Sequence, residues 1–249
     1  MEYAPKRCRD LSIIAMGERV LVIACDSAGG IGPKTGDQIK VSGEIIGKFT
    51  TRVALMEVLA VGAKPISIIN TLSVEYNPTG KEIIKGIKGE LAQVGLDETI
   101  LINGSTEENI QTGQTGLGVT VIGIADQDKL LLASSQNNDL LLAIGLPLVG
   151  EEVLAKGDLC ADLSDIKKLL AIEGVHEIIP VGSKGIAYEA DLLARMSGLT
   201  CRYQKDLALA LDKSAGPSTT ILASVSEDGL EQIEWEIKKP LTVIAVLKS

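Results

Sequence analysis

Residues 20–34 read VLVIACDSAGGIGPK. The apolar run Val20–Cys25 has the length and composition of a buried strand, and Asp26 follows it at once, before a glycine-rich turn. Proteins commonly hold a metal ion or a phosphate with a carboxylate at this position. The neighbouring glycine-rich turn lets the ligand approach the backbone closely. The segment is equally consistent with a connecting turn whose glycines serve only the backbone conformation.

Outward from this segment, apolar runs of strand length alternate with helical patterns, which predicts an α/β (α+β) fold. The helix at 79–94 has the strongest pattern, because Thr79 and Glu82 have the spacing of a capping box and Gly95 supplies a stop. The elements predicted in the first half are strands at 19–25, 65–75, 99–102 and 117–125 and helices at 47–61 and 79–94.

The composition changes at residues 125–138, where ADQDK and SSQNN flank a short apolar run. This change predicts two domains, residues 1–126 and residues 127–249. The second half repeats the alternation, with strands predicted at 140–144, 177–181, 219–225 and 242–247 and helices at 151–155, 165–172, 187–196 and around 230–235.

Composition and charge exclude several classes of function. The 249 residues include 24 basic and 33 acidic residues, for a net charge of −9, which disfavours nucleic acid and anionic membranes as partners. A single histidine, His176, excludes most histidine-dependent relays and metal sites, and four cysteines without C-x-x-C spacing are typical of reduced thiols. Without an apolar leader or membrane span, we expect a cytoplasmic protein.

Two further sites carry carboxylates near core elements. Glu57 is the one charge in VALMEVLAVGA (53–63), so a buried helix there would need a cation, donors or a metal for it; the alternatives are exposure to water or pairing with Arg52. Asn103–Asn109 reads NGSTEEN between two predicted strands and could hold Mg²⁺ through oxygen ligands, or be a solvated acidic loop.

The segment GEIIGKFT (43–50) superficially suggests a phosphate-binding P-loop. Ser42 stands where the first glycine of that motif is required, and Phe49 stands where the magnesium-binding hydroxyl belongs. The P-loop interpretation is therefore rejected.

In order along the chain, DSAGGIGPK (26–34), LMEVLAVGAKP (55–65) and NGSTEEN followed by GVTVIGIAD (118–126) resemble the D-G-V-G-x-K, S-D-x-x-A-M-G-A-x-P and G-G-[DE]-T motifs of the aminoimidazole ribonucleotide synthetase superfamily. This superfamily includes thiamin-monophosphate kinases, selenophosphate synthetases and hydrogenase-maturation dehydratases. The second-half segments NDLLLAIGLPLVGEEVL and PVGSKGIAYEADLLARMSGL resemble its C-terminal domain, so the likeness covers nearly the whole chain.

The resemblance implies a two-domain fold, a homodimer formed through the N-terminal domains, and a groove for ATP and Mg²⁺. Carried over by position, Asp26 and Glu57 match metal-ligand aspartates, and Glu107, with Glu108 as a substitute, matches a third. The residues expected to contact the nucleotide are Lys34, Lys48, Arg52, Asn103, Gly104, Ser105 and Thr106. The alternative for Lys34, Lys48 and Arg52 is a cation in contact with solvent, and Asp37 is the candidate proton acceptor.

Within the superfamily, Cys8 in KRCRD does not match the reactive cysteine of a selenophosphate synthetase. The chain most resembles the α-ribazole kinase branch, and the segments that carry this resemblance are ACDSAGGIG, FTTRVALMEVLAVGA, PTGKEIIKGIK and GSTEEN. The enzymes of this branch phosphorylate the 5′-hydroxyl of α-ribazole, which becomes the lower ligand of cobalamin. The expected function is thus an ATP-dependent kinase acting on a nucleoside-like small molecule. The alternatives are an ATP-dependent synthetase, a thiamin-monophosphate kinase-like enzyme and a non-catalytic nucleotide-binding dimer.

Overall fold

A computed structural model describes residues 5–96 and 100–249 of the chain. The chain forms two compact units. The first includes the segments up to Val58 and from Ala63 to Asp128. The second includes Lys129–Ser249 together with Leu59–Gly62. The domain limits expected from the sequence, 1–126 and 127–249, stay a prediction. None of the described helices has the length and apolar composition that a bilayer crossing requires.

Over residues 5–58, 63–96 and 100–128, the first unit contains a six-stranded sheet and two helices. Its strands lie in the order β1-β2-β3-β8-β6-β7, and all neighbours are antiparallel except β6 and β7. A short parallel pair, β4 and β5, lies apart from this sheet. The strands are β1 Pro5–Cys8, β2 Leu11–Met16, β3 Arg19–Gly29, β4 Ile31–Gly32, β5 Ile39–Lys40, β6 Lys64–Leu72, β7 Leu101–Thr106 and β8 Gly116–Asp126, and the helices are α1 Gly43–Ala60 and α2 Lys81–Gln93.

The second unit is built on a five-stranded antiparallel sheet in the order β10-β12-β9-β13-β11. Its core joins the buried face of α5, through Ile186, Ala190 and Leu193, to strand residues such as Leu141 and Leu222. The strands are β9 Leu140–Ile144, β10 Val175–Pro180, β11 Thr200–Tyr203, β12 Ile221–Val225 and β13 Leu241–Lys248, and the helices are α3 Glu151–Ala155, α4 Leu163–Leu169, α5 Ile186–Met196 and α6 Glu227–Glu236.

The α/β fold class is confirmed, and most predicted elements are present with shifted ends. Strand β3 continues four residues past the predicted end, to Gly29, because it pairs with β8 along its whole length. Helix α4 begins earlier than predicted because Asp162 caps it: the Asp162 carboxylate accepts from the backbone N–H of Ser164 at 2.8 Å, and the Asp165 carboxylate accepts from that of Asp162 at 2.9 Å. Thr99, the predicted first residue of β7, lies outside the described residues.

The predicted capping box at Thr79 and Glu82 is wrong. Helix α2 begins at Lys81, after a turn at Tyr76–Gly80, and has no side-chain cap. The Thr79 hydroxyl donates to Glu75 at 2.6 Å, and the Glu82 carboxylate accepts from the N–H of Gly43 at 3.1 Å. Both side chains therefore bond to other segments of the chain. The predicted stop is confirmed, since Gly95 follows the helix with φ +74°.

Candidate functional site

Asp26 lies within strand β3 and not in a turn, because its pairing with Val119 of β8 continues the ladder. The alternation of β3 places Asp26 on the same face as the buried residues Val20, Val22 and Ala24. Desolvation raises the pKa of the Asp26 carboxyl from 3.8 to about 6, against a smaller lowering by the backbone N–H of Ser27. A carboxylate kept from water in this way favours a bound cation.

A row of neighbouring residues crosses the sheet from Asp26. Val119 pairs with Asn70 of β6, and Asn70 pairs with Gly104 of β7. Asn70 is buried and donates from Nδ2 to the carbonyl oxygen of Asn103 at 3.0 Å. A Cβ atom at Gly104 would lie 2.4 Å from the Asn70 carbonyl oxygen, so this close strand approach requires glycine.

The segment Asn103–Thr106 was expected to be a loop, and this expectation is wrong. All four residues belong to β7 and pair in register with 69–72 of β6. The alternation puts Gly104 in the Asp26 row and places Asn103 and Ser105 on the opposite face of the sheet. The row and these two side chains therefore lie on different faces.

The glycine-rich segment after β3 is held by Asp37. One Asp37 oxygen accepts from the backbone N–H of Lys34 at 2.8 Å and from the Thr115 hydroxyl at 2.7 Å, and the other accepts from the N–H of Thr115 at 2.7 Å. Gly32 permits this fold-back, since a Cβ there would lie 2.4 Å from the Thr115 hydroxyl. Both oxygens of the buried Asp37 carboxylate thus accept hydrogen bonds that hold this segment in place, and its role as a proton acceptor stays a prediction.

Lys34 lies beside Glu75, the residue that precedes the turn leading to α2. The Lys34 ammonium forms an ion pair with one Glu75 oxygen, and the Thr79 hydroxyl donates to the other. Desolvation raises the pKa of Glu75, but the bonds from Lys34 and Thr79 outweigh it and lower the value to about 2. Glu75 was not anticipated from the sequence; its position just after an apolar strand is the signal that could have indicated it.

Glu107 and Glu108 tie the end of β7 to the end of β6. One Glu108 oxygen accepts from the N–H of Tyr76 at 2.7 Å and from the Thr106 hydroxyl at 2.8 Å. One Glu107 oxygen accepts from the N–H groups of Asn109 and Ile110, at 2.8 and 3.1 Å, while the Glu107 N–H donates to the Val74 carbonyl. Both carboxylates are therefore oriented at one end of the sheet.

Glu57 and Arg52 are not paired with each other. Arg52 donates from Nε to the buried Glu90 at 2.6 Å, across the α1–α2 contact. Glu57 instead lies against Arg9, with 3.7 Å between Arg9 Nη2 and Glu57 Oε2. Arg9 was not singled out in the sequence.

Lys48 is half-buried on α1 with its ammonium 5.7 Å from the centre of the Phe49 ring.

The expected group of three carboxylate ligands is not assembled within the described ranges 5–96 and 100–249, where no three Asp, Glu, His or Cys side chains lie close enough to hold a metal ion. Asp26 fits a cation site, because its carboxyl is desolvated and its charged form is unfavourable. Glu57 fits one less well, because a guanidinium already lies beside it.

Comparisons with known proteins agree with this architecture. Residues 9–125 match the family model described as AIR synthase related protein, N-terminal domain. No curated protein matches the sequence significantly.

Solved structures share the fold over most of the chain. A structure described as AaThiL complexed with AMPPCP and TMP is 14% identical, with a TM-score of 0.66, covering 96% of this chain and 84% of that one. Thiamine-monophosphate kinase from Stenotrophomonas maltophilia K279a is 16% identical (TM-score 0.64; 96% and 86% covered). Hydrogenase maturation protein HypE in complex with ATP is 15% identical (TM-score 0.63; 92% and 77% covered).

At these identities the structural likeness establishes the fold, and the family match covers the first unit. Residues 9–125 are therefore similar to the AIR synthase related N-terminal domain, and the chain shares its fold with these solved structures.

Proposed function

We propose that the protein is an ATP- and Mg²⁺-dependent kinase that phosphorylates the 5′-hydroxyl of α-ribazole. The observation that supports phosphoryl transfer is Asp26, a desolvated carboxylate within core strand β3, in a fold that solved relatives share. Two of those relatives are described with AMPPCP and with ATP, which supports a nucleotide as the phosphoryl donor.

The choice of α-ribazole rests on the sequence. The segments ACDSAGGIG, FTTRVALMEVLAVGA, PTGKEIIKGIK and GSTEEN resemble the α-ribazole kinase branch more than other branches. The aliphatic composition also suits an apolar pocket for a benzimidazole ring, whose burial at about 25 cal/mol per Å² would supply binding energy.

Phosphoryl transfer depends mainly on positioning and on neutralising charge. Asp26 would hold Mg²⁺, with Glu107 or Glu108 as a further oxygen ligand, and the bound ion would offset the charge of the polyphosphate. Gly29 offers the nucleotide an open approach to the backbone, because a Cβ there would meet nothing within 4 Å. Asp37 keeps the adjoining loop in place through its bonds to Lys34 and Thr115. Lys34 lies at this loop, and its ammonium would contact a phosphate if that phosphate replaced the Glu75 carboxylate as its partner.

A thiamine-monophosphate kinase is the second candidate, since relatives of that description share the fold. A synthetase of the superfamily, which activates an amide or acyl oxygen, is the third candidate, and a non-catalytic nucleotide-binding dimer is the fourth. These four functions differ in which acceptor gains a phosphate, and in whether any acceptor does.

The test is incubation with Mg-ATP and α-ribazole, thiamin monophosphate or adenosine, followed by mass spectrometry for the gain of one phosphate. We expect kcat/KM for α-ribazole to exceed the others by at least roughly tenfold, a margin of about 1.4 kcal/mol. Asp26→Asn should lose at least about 100-fold in kcat, whereas the exposed control Asp128→Asn should keep the wild-type rate.

Three results would contradict the proposal. Preference for thiamin monophosphate would favour the second candidate, and phosphate release with a different second product would favour a synthetase. No turnover with any acceptor, despite nucleotide binding, would favour the non-catalytic dimer.

A further inference from the structure

Arg9 is a buried cation at the turn between β1 and β2. Its side chain is only 2% exposed, and its backbone adopts a positive φ of 57°. Arginine is almost never buried unless its charge is compensated by an anion. The sequence places it in the charged segment KRCRD, which by composition alone would be expected to be solvated.

Glu57, in the last turns of α1, is an anion that faces Arg9. The side chain of Glu57 is 11% exposed, and its neighbours Leu55, Met56 and Val58 are fully buried. At 3.7 Å in surroundings of low dielectric constant, the attraction between the two charges is much stronger than on a surface. Arg52, which lies on α1 itself, is bonded to Glu90 and so does not serve Glu57.

This contact conflicts with a metal ion on Glu57. Mg²⁺ binds carboxylate oxygens at about 2.0–2.1 Å, so an ion on Glu57 would lie within a few ångströms of the Arg9 guanidinium. The repulsion between a dication and a guanidinium at that distance opposes binding. Asp26 differs from Glu57, because desolvation is the main influence on its carboxyl and raises its pKa to about 6.

We propose that Glu57 is the buried counter-ion of Arg9 and not a metal ligand. The permanent positive charge of Arg9 then neutralises the Glu57 carboxylate, as a divalent ion bound there would otherwise do. The inference rests on the proposed function only for the presence of a metal–nucleotide site elsewhere in the first unit. It predicts that the metal requirement of the protein depends on Asp26 and not on Glu57.

The first experiment counts Mn²⁺ ions bound per chain, by electron paramagnetic resonance in the presence of a non-hydrolysable ATP analogue. Glu57→Gln should bind the same number of ions as the wild type, with affinity within about twofold, whereas Asp26→Asn should bind Mn²⁺ at least about tenfold more weakly. A loss of Mn²⁺ in Glu57→Gln equal to that in Asp26→Asn would overturn the inference.

The second experiment is a double-mutant cycle of melting temperatures without metal. Arg9→Met and Glu57→Gln should each lower the Tm by several degrees, because each removes the counter-ion of a buried charge, and the double variant should lose clearly less than the sum. Additive losses would overturn the inference. If the wild type binds no Mn²⁺ and no nucleotide, the proposed function fails, and this cycle still decides the charge pair.

Discussion

At the scale of single residues, the first unit contains carboxylates in opposite electrostatic states. Glu75 has a cation and a hydroxyl donor, and its pKa falls to about 2 despite desolvation. Asp26 is desolvated, and the backbone N–H of Ser27 offsets only part of this effect, so its pKa rises to about 6. This difference in pKa distinguishes two roles. The charged form of Glu75 stabilises the fold, whereas the charged form of Asp26 destabilises the fold when no ligand is bound.

The first prediction is that Asp26→Asn stabilises the protein above pH 6 and not near pH 4. The pKa of Asp26 is higher in the folded chain, about 6, than its ordinary value of 3.8, so folding favours the protonated form. Below pH 3.8 the carboxyl is protonated in both states and has no effect. Between pH 3.8 and pH 6 the carboxyl ionises in the unfolded chain but stays protonated in the folded one. Above pH 6 it is charged in both states, and the charge lowers the free energy of unfolding by about 3 kcal/mol.

Urea unfolding of the wild type and Asp26→Asn at pH 4 and pH 8 measures this effect. Asp26→Asn should gain up to about 3 kcal/mol at pH 8 and little at pH 4. Asp128→Asn, at an exposed position, should show no gain at either pH. An equal change for Asp26→Asn at both pH values would show that the carboxyl is not desolvated.

Some of these residues could be found from the sequence and others could not. Asp26 could be, because an apolar run ending in a carboxylate is a local pattern. The partner of Glu57 could not be, since Arg9 is distant in sequence and becomes its neighbour only when the β1–β2 turn meets α1. The same applies to Arg52, whose partner Glu90 lies on the next helix. Sequence reasoning singled out Glu57 and Arg52 and missed their partners, Arg9 and Glu90.

At the scale of elements, α1 and α2 cross at two glycines with almost no space between backbones. A Cβ at Gly47 would lie 2.2 Å from the Ile83 carbonyl oxygen, and a Cβ at Gly86 would lie 2.1 Å from that of Glu44. These helices could not approach so closely with any larger residue at either position. Gly47, which belongs to the segment that suggests a P-loop, thus serves helix packing.

The second prediction compares two glycines of α2. Gly86→Ala should lower the free energy of unfolding by about 3 kcal/mol, because the added methyl forces the helices apart. Gly89→Ala should raise it by about 0.5–1 kcal/mol, since a Cβ there meets nothing within 4 Å and alanine favours the helix. Chemical denaturation of both variants gives the comparison. Similar effects at the two positions would mean that the helices do not cross at Gly86.

The elements that could be predicted are those with a strong local pattern. Strand β9 and helix α3 have the predicted limits, since turn residues bound each of them. The strands β1 and β2 were missed because they are short, and charged residues interrupt the alternation in KRCRD. Strand β11 was missed for a similar reason: its four residues, TCRY, become a strand only by pairing with β13. Short edge strands depend on a partner more than on their own sequence.

At the scale of the whole molecule, the sheet of the first unit has two unlike faces. One face is covered by α1, as the contact between Val58 and the position of Gly123 shows. The other face carries apolar side chains that remain partly or largely exposed, namely Leu21, Ile23, Ile69, Leu101 and Ile122. An apolar sheet face of this extent is typical of a surface that associates.

The last prediction is that this face forms the homodimer that the resemblance implies. Ile122 lies near the middle of the face, with Ile23 and Ser67 as its neighbours on β3 and β6. Sedimentation should give a dimer for the wild type and a monomer for Ile122→Asp. Leu154→Asp, at an exposed leucine of α3 in the second unit, should remain a dimer. A wild-type monomer at micromolar concentration, or dissociation of Leu154→Asp alone, would place the association elsewhere or exclude it. The effect of Ile122→Asp should be large because a two-fold interface repeats each substitution, so that two carboxylates would be desolvated at one contact, at a cost of several kcal/mol.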